Sequence, residues 1–227
     1  MRVGYELRDS IATITMNDGK LNVLSPDMFA ELNAALDRAQ ADRAVVILTG
    51  REGAFSAGFD MKVLGAGPEP ARALAVTGFE LAARILAFPT PVVIACPGHT
   101  IAMGLFLALS GDYRVGATGA YKIVANEVAI GITMPHFALE LCRQRLSPTH
   151  FHRVMMTAEM LSPEDAVHAG IFDRVVPAGE LHDTARLAAS RLASLPLHVY
   201  AATKARARER DLGAIRAAIQ ADAATFG

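Results

Sequence analysis

Few residues of this chain have the type and setting to do chemistry. Two glycine-punctuated turns, Phe55-Ser-Ala-Gly-Phe-Asp-Met61 and Ala102-Met103-Gly104, each follow a short apolar segment. The carboxyl end of a parallel strand is where α/β folds place ligands. Each turn can offer a backbone N–H there, and two donors aimed at one oxygen make an oxyanion hole. Taken alone, most turns of this kind are only turns. Glu127 stands in the run Asn126-Glu-Val-Ala-Ile-Gly131, and by itself it reads as a loop glutamate. His99 and His136 fall in turns near these segments, where a lone histidine is more often structural than catalytic. Glu80 sits on the helix ahead of the central strand. Asp60 and Asp112 suit turn caps or braces.

The elements that must carry these residues centre on Pro91 to Asp112. Val92 to Ala95 is a short apolar, β-branched run, which predicts a buried strand. Pro97 and Gly98 break it. The apolar run to Leu109 predicts a buried helix, and Gly111 is placed to stop it. The N-terminus of such a helix holds unpaired N–H groups and the positive end of a dipole, so a developing oxyanion is one candidate acceptor.

The flanking sequence alternates in type. Val3 to Leu7 and Ile11 to Met16 read as a hairpin. Ser25 and Pro26 start a helix whose apolar positions Met28, Phe29, Leu32, Ala35, Leu36 and Ala39 keep helical spacing. Ala44 to Thr49 reads as a strand, Arg51 to Asp60 as a loop, and about Ala71 to Phe88 as a long helix closed by Pro89-Thr-Pro91. Asp112 to Gly116 and Tyr121 to Val124 read as strands. Ser147-Pro and Ser162-Pro start helices, Gly170 ends the second, and Ile171 to Pro177 is extended. From Glu180 the chain is helical, divided at Pro196, with an Ala-rich charged stretch from Ala205 to Phe226. Strands that alternate with helices predict an α/β core with largely parallel strands. Residues 1–195 form that core, and 196–227 a helical region of the same functional unit.

Composition excludes several classes. The 227 residues are 52% hydrophobic and 20% charged, with a net charge of −1, so a large core is available. There is no basic stripe for nucleic acid and no polybasic run for a membrane surface. No signal peptide is legible at the start, and no apolar run has membrane-spanning length. Cys96 and Cys142 lie in apolar surroundings and read as buried free thiols of a cytoplasmic protein. No Cys/His spacing fits a metal site.

Four blocks in order carry a family resemblance: FSAGFDMK, PTPVVIACPGHTIAMGLFLALSGDYRV, VANEVAIGITMP and SPEDAVHAGIFDRVVP. The chain resembles the enoyl-CoA hydratase/isomerase (crotonase) superfamily from about Val3 to Lys204. The resemblance implies a spiral of ββα repeats with a helical C-terminal trimerisation region. It implies an acyl-CoA thioester as substrate and a homotrimer or dimer of trimers. Coenzyme A enters only as part of the substrate, with no separate cofactor. It also assigns the oxyanion donors to the N–H groups of Phe59 and Met103. Met103 stands where the family usually shows a Gly-Gly run, and a backbone N–H survives that change. Lys20, Leu21, Ser56, Ala57, Asp60 and Met61 match segments that contact coenzyme A. Lys204, Arg206, Arg208 and Arg210 either reach its phosphates or form a solvated face.

The resemblance narrows the reaction. Family hydratases carry two glutamates, one in the buried helix three residues after the second donor and one in an NEVAIG-like segment. The first position here is Phe106, and the second is Glu127. Adding water across a double bond needs one group to hold and deprotonate water and another to protonate carbon. Moving a double bond from C3 to C2 needs one base. The pattern of one glutamate and no acid in the helix resembles Δ3,Δ2-enoyl-CoA isomerases. The expected activity is therefore enoyl-CoA isomerisation with Glu127 as the base. Hydration and a silent CoA-ester-binding role are the alternatives. Most relatives continue beyond the position of Gly227 into a further helix, so the cleft here is expected to be more open or covered by another segment.

Overall fold

The computed structural model describes residues 1–225. The chain opens with the antiparallel hairpin β1 (Val3–Arg8) and β2 (Ile11–Met16) and the helix α1 (Pro26–Ala41). Ser25 caps α1 by accepting the Met28 N–H. Strands β3 (Val45–Thr49) and β4 (Gly53–Ser56) lead to a short α2 (Met61–Leu64) and a long α3 (Pro68–Leu86). Strands β5 (Val92–Cys96) and β6 (Gly98–Ile101) lead to α4 (Met103–Leu109). Strands β7 (Tyr113–Ala117) and β8 (Ile123–Val124) lead through a 3₁₀ turn (Val128–Ile130) to α5 (His136–Arg145). Then come α6 (Pro148–Thr157), α7 (Pro163–Ala169), β9 (Arg174–Val176), α8 (Leu181–Ala193) and α9 (Leu197–Thr225).

The repeating unit is therefore ββα, and the strands of successive units divide between two sheets. β1-β2-β3-β5-β7-β9 form a six-stranded sheet, and β4-β6-β8 a separate three-stranded one. Among the described residues every pairing between these strands after β1–β2 is parallel. This is the α/β spiral with a C-terminal helical region that the sequence leads one to expect. The strands β3 and β5 are buried on both faces, as covered parallel strands must be. One face packs Val46, Leu48, Val92 and Ile94 into the main core with α1, α3 and α4. The other packs Val45, Ile47, Val93 and Val115 against Leu181, Ala185 and Ala189 of α8.

Several elements differ from the sequence reading. The stretch 98–101, read as turn, is the strand β6, and the loop 51–60 contains β4. Both are four-residue strands, too short and too mixed in composition to show a period. Helix α3 begins at Pro68, three residues before the expected start at Ala71, because proline suits the first helical turn. Gly111 does not stop α4 in a left-handed conformation; the helix ends at Leu109, and its cap Ser110 lies in the right-handed region. Glycine is needed at 111 because a Cβ would stand 2.3 Å from Ile94 Cγ1 of the neighbouring strand. Helix α5 has no residue of its own to cap it, and the sequence does not announce it. Pro196 does divide two helices, and α9 runs unbroken against α3 and α5. Phe226, at the end of that predicted helix, lies outside the described residues.

Candidate active site

The two glycine turns meet. Gly58 has φ +88°, and a Cβ on it would stand 2.9 Å from the Ala102 Cβ and 3.3 Å from the Met103 nitrogen. Only a residue without Cβ lets the loops approach this closely. Ala102 has φ +50° and ψ −126°, a conformation few residues other than glycine adopt, and it is tied by its N–H to Val124 O at 2.8 Å. That twist starts α4 at Met103, so the Met103 N–H is one of the unpaired donors of a helix start. Phe59 pairs with Leu24 through its neighbours: Leu24 N–H donates to Gly58 O and Asp60 N–H to Leu24 O. The N–H groups of Phe59 and Met103 have no acceptor among the described residues. Met103 is itself fully buried in the main core.

A brace that the sequence reading missed holds this geometry. Ser56 is fully buried; its hydroxyl donates to Asn22 O at 2.7 Å and accepts the Gly58 N–H at 3.1 Å. Asn22, also fully buried, donates from Nδ2 to the carbonyls of Met16, Ala54 and Phe55. Gly104 lets α4 press on the same strand, since a Cβ there would meet Ser56 O at 2.6 Å. Nothing in the residues around Asn22 marks it for this role, because its partners lie on two separate strands.

Beside the two donors lies a chamber of about 250 Å³. Its walls include Ala57, Phe59, Phe79, Ala102, Phe106 and Glu127. Phe106 is three residues after Met103 on α4 and meets Phe137 edge-on, with ring centres 6.4 Å apart. Phe79 stacks on Phe137 at 4.5 Å. Asn126 and Glu127 carry the polar side chains of the lining. Glu127 is 7% exposed, and among the described residues its Oε2 has no hydrogen-bond partner; neither has Asn126 Oδ1. Burial pushes the Glu127 carboxyl up to about 7, partly offset by a hydrogen bond from its own backbone N–H. A carboxyl held neutral until near neutrality by an apolar wall is matched to proton transfer at that pH. Its field also adds to the burial that raises the Cys142 thiol well above the usual range.

The remaining candidates separate. Ala57 and Met61 line the chamber, and Met61 is exposed at its edge. Ala57 N–H donates to Leu21 O at 2.9 Å, which brings the exposed Leu21 beside that loop. Lys20 and Asp60 border a surface groove of about 390 Å³. Asp60 caps α2 by accepting the Lys62 N–H at 2.9 Å. His99 is occupied elsewhere, its Nδ1 accepting the Lys122 N–H at 3.0 Å. His136 and Glu80 are exposed, and neither lines the chamber.

Two of the late cations are neither solvated nor free for phosphate. Lys204 Nζ reaches Asp112 Oδ2 at 2.7 Å and Arg208 reaches Asp112 Oδ1 at 2.9 Å. Asp112 also accepts the Val92 N–H at 2.7 Å, so it pins α9 to the central strand. Arg206 and Arg210 remain exposed. Among the described residues no three His, Cys, Asp or Glu side chains gather to hold a metal, and no helix is long and apolar enough to cross a membrane.

The profile of the enoyl-CoA hydratase/isomerase family matches residues 6–227. A solved enoyl-CoA hydratase/isomerase family protein from Pseudomonas syringae superposes with a TM-score of 0.98 at 44% identity, covering 100% of this chain and 98% of that one. An apo enoyl-CoA isomerase from Mycobacterium tuberculosis superposes at 0.95 with 46% identity, covering 99% of each chain. An (E)-benzylidenesuccinyl-CoA hydratase from Thauera aromatica is 30% identical over 220 residues, 93% of this chain and 84% of that protein.

Proposed function

This chain belongs to the enoyl-CoA hydratase/isomerase family, and within it we propose that the chain acts as a Δ3,Δ2-enoyl-CoA isomerase. The observation that carries the reading is a single buried carboxylate, Glu127, in an apolar chamber where the other hydratase position is Phe106. A 3-enoyl-CoA thioester would lie with its carbonyl oxygen on the Phe59 and Met103 N–H groups. Glu127, ionised, takes a proton from C2. The electrons move onto the thioester oxygen, and the two N–H groups hold the dienolate. The neutral Glu127 carboxyl then returns the proton at C4. The double bond stands between C2 and C3, conjugated with the thioester, and Glu127 is again ionised. Losing one donor of such a pair typically costs roughly 100- to 1000-fold in rate.

In this reading coenzyme A is bound as part of the substrate, past the Lys20–Leu21 segment and the Ser56–Met61 loop. Ser56 contributes by shaping the loop, because its hydroxyl is fully used inside it. The exposed apolar side chains Met156, Met160, Leu187 and Val199 are surface that a homotrimer would cover.

One observation favours hydration of 2-enoyl-CoA as a second reading. Asn126 Oδ1 and Glu127 Oε2 are adjacent in sequence, buried and unpaired, and their residues line the same chamber. Two acceptors of this kind suit one water molecule. Assaying a 3-enoyl-CoA and a trans-2-enoyl-CoA in parallel separates the readings. Conjugation raises near-ultraviolet absorbance, and hydration lowers it. A rise with the first substrate and none of the fall with the second supports the isomerase. A fall with the second and silence with the first overturns it.

A further inference from the structure

We propose that Asp222, on the C-terminal helix, is a positioning residue of the reaction chamber. Asp222 is 3% exposed and lies 86 residues from its partner. Its two oxygens accept the N–H groups of His136, at 2.9 Å, and Phe137, at 2.8 Å. These are the first donors of α5, whose own N-cap position is Pro135 and supplies no side-chain bond. A carboxylate is the favoured group there, because it satisfies unpaired donors and faces the positive end of the helix.

The clamped turn is one wall of the chamber. Pro135 lines it directly. The Phe137 ring is fully buried and supports both Phe79 and Phe106, which also line it. Upstream, the Ile132 N–H donates to the Glu127 carbonyl at 2.9 Å, so the segment held by Asp222 continues to the peptide of the proposed base. The same segment divides the chamber from a groove of about 530 Å³ that shares Leu64, Ile132 and Pro135 with it. With Asp222 loosened, this wall is free to shift into either space. The geometry thus couples the end of α9 to the placement of Glu127 and the aromatic wall. The inference rests on the chamber being the reaction site proposed above.

The test compares Asp222→Asn with Asp173→Asn. Asp173 pairs with the buried Arg114, at 2.7 Å and 3.0 Å, is itself exposed, and lines no part of the chamber. Like Asp222 it is a carboxylate that accepts a backbone N–H from a distant segment, that of Arg114 at 2.8 Å, but it lacks the connection to the chamber. Asp222→Asn should lower kcat/KM for enoyl-CoA between about 10- and 100-fold, as misplacement far from the chemistry does. Asp173→Asn, at a similar loss of Tm, should stay within about twofold of wild type, having no route to the reacting groups. Equal losses in the two variants would overturn the proposal and leave Asp222 a purely structural cap. A parallel titration with a 3-ketoacyl-CoA, whose enolate absorbs in the near ultraviolet, reads the chamber without turnover. Weaker binding in Asp222→Asn alone supports the clamp even if the wild type proves not to be an isomerase, and equal binding in both variants counts against it. If Asp222→Asn does not fold, Phe137→Leu keeps the clamp and removes the ring contacts. Wild-type kcat/KM in that variant also overturns the proposal.

Discussion

The Cβ that Gly58 lacks would stand 3.3 Å from the Met103 nitrogen, the second of the two proposed oxyanion donors. Any side chain at 58 must push the two turns apart, and φ +88° is itself unfavourable for other residues. Gly58→Ala should therefore separate the Phe59 and Met103 donors. We expect kcat on 3-enoyl-CoA to fall roughly 100-fold or more, the scale for loss of one donor. Turnover within about threefold of wild type would show that the pair is not the oxyanion site.

Glu127→Gln tests the base through two readouts. Removing a general base typically costs roughly 100- to 10,000-fold, while CoA-ester binding should survive. Stability should move the other way. Burial raises the folded-state carboxyl from 4.5 to about 7, so the folded protein binds more protons than the unfolded chain between those values. Wild-type stability therefore falls as pH rises through this window, by up to about 3 kcal/mol. Glutamine does not ionise, so the variant should have the higher Tm at pH 8 and lose that advantage toward pH 4. An unchanged Tm difference across this range would mean that Glu127 is not strained by ionisation.

In the isomerase reading the same carboxyl sets the pH dependence of the reaction. The free enzyme needs Glu127 ionised to take the C2 proton, so kcat/KM should fall below a pH of about 7. The slope should approach tenfold per pH unit for a single titrating base. A profile that stays flat down to about pH 5 would assign the base to a group with an ordinary carboxylate pKa.

What the sequence made legible was local. Ser25 with Pro26 and Ser162 with Pro163 start their helices because cap and first turn lie within three residues. The four family blocks mark the strands and turns that surround the chamber, and the loops at Gly58 and Ala102 do meet. What stayed hidden depends on partners far along the chain. Helix α5 has its cap on α9, so no window around Pro135 contains the signal. Lys204 and Arg208 read as solvated or phosphate-binding cations because Asp112, their partner, is about ninety residues earlier. Asn22 looks like a turn residue, yet its amide ties three carbonyls of two strands. Gly111 reads as a helix stop, yet its constraint is Ile94 across the sheet.

Phe106 offers the sharpest test of why one reaction should dominate. Its ring is 1% exposed, fills the chamber wall three residues after Met103, and packs edge-on against Phe137. In the isomerase reading it keeps water from the dienolate and from the product double bond. Phe106→Ala opens that wall and should cost about 3 to 5 kcal/mol of stability, as large-to-small core changes do. The chamber already offers Glu127 Oε2 and Asn126 Oδ1 as unpaired acceptors, so the added space is polar on one side and can admit water. The variant should retain isomerisation at a reduced rate and form 3-hydroxyacyl-CoA as a new product, detected by mass after incubation with either enoyl-CoA. If the hydrated product is absent while the variant remains folded and active, water exclusion by Phe106 is not what selects the reaction.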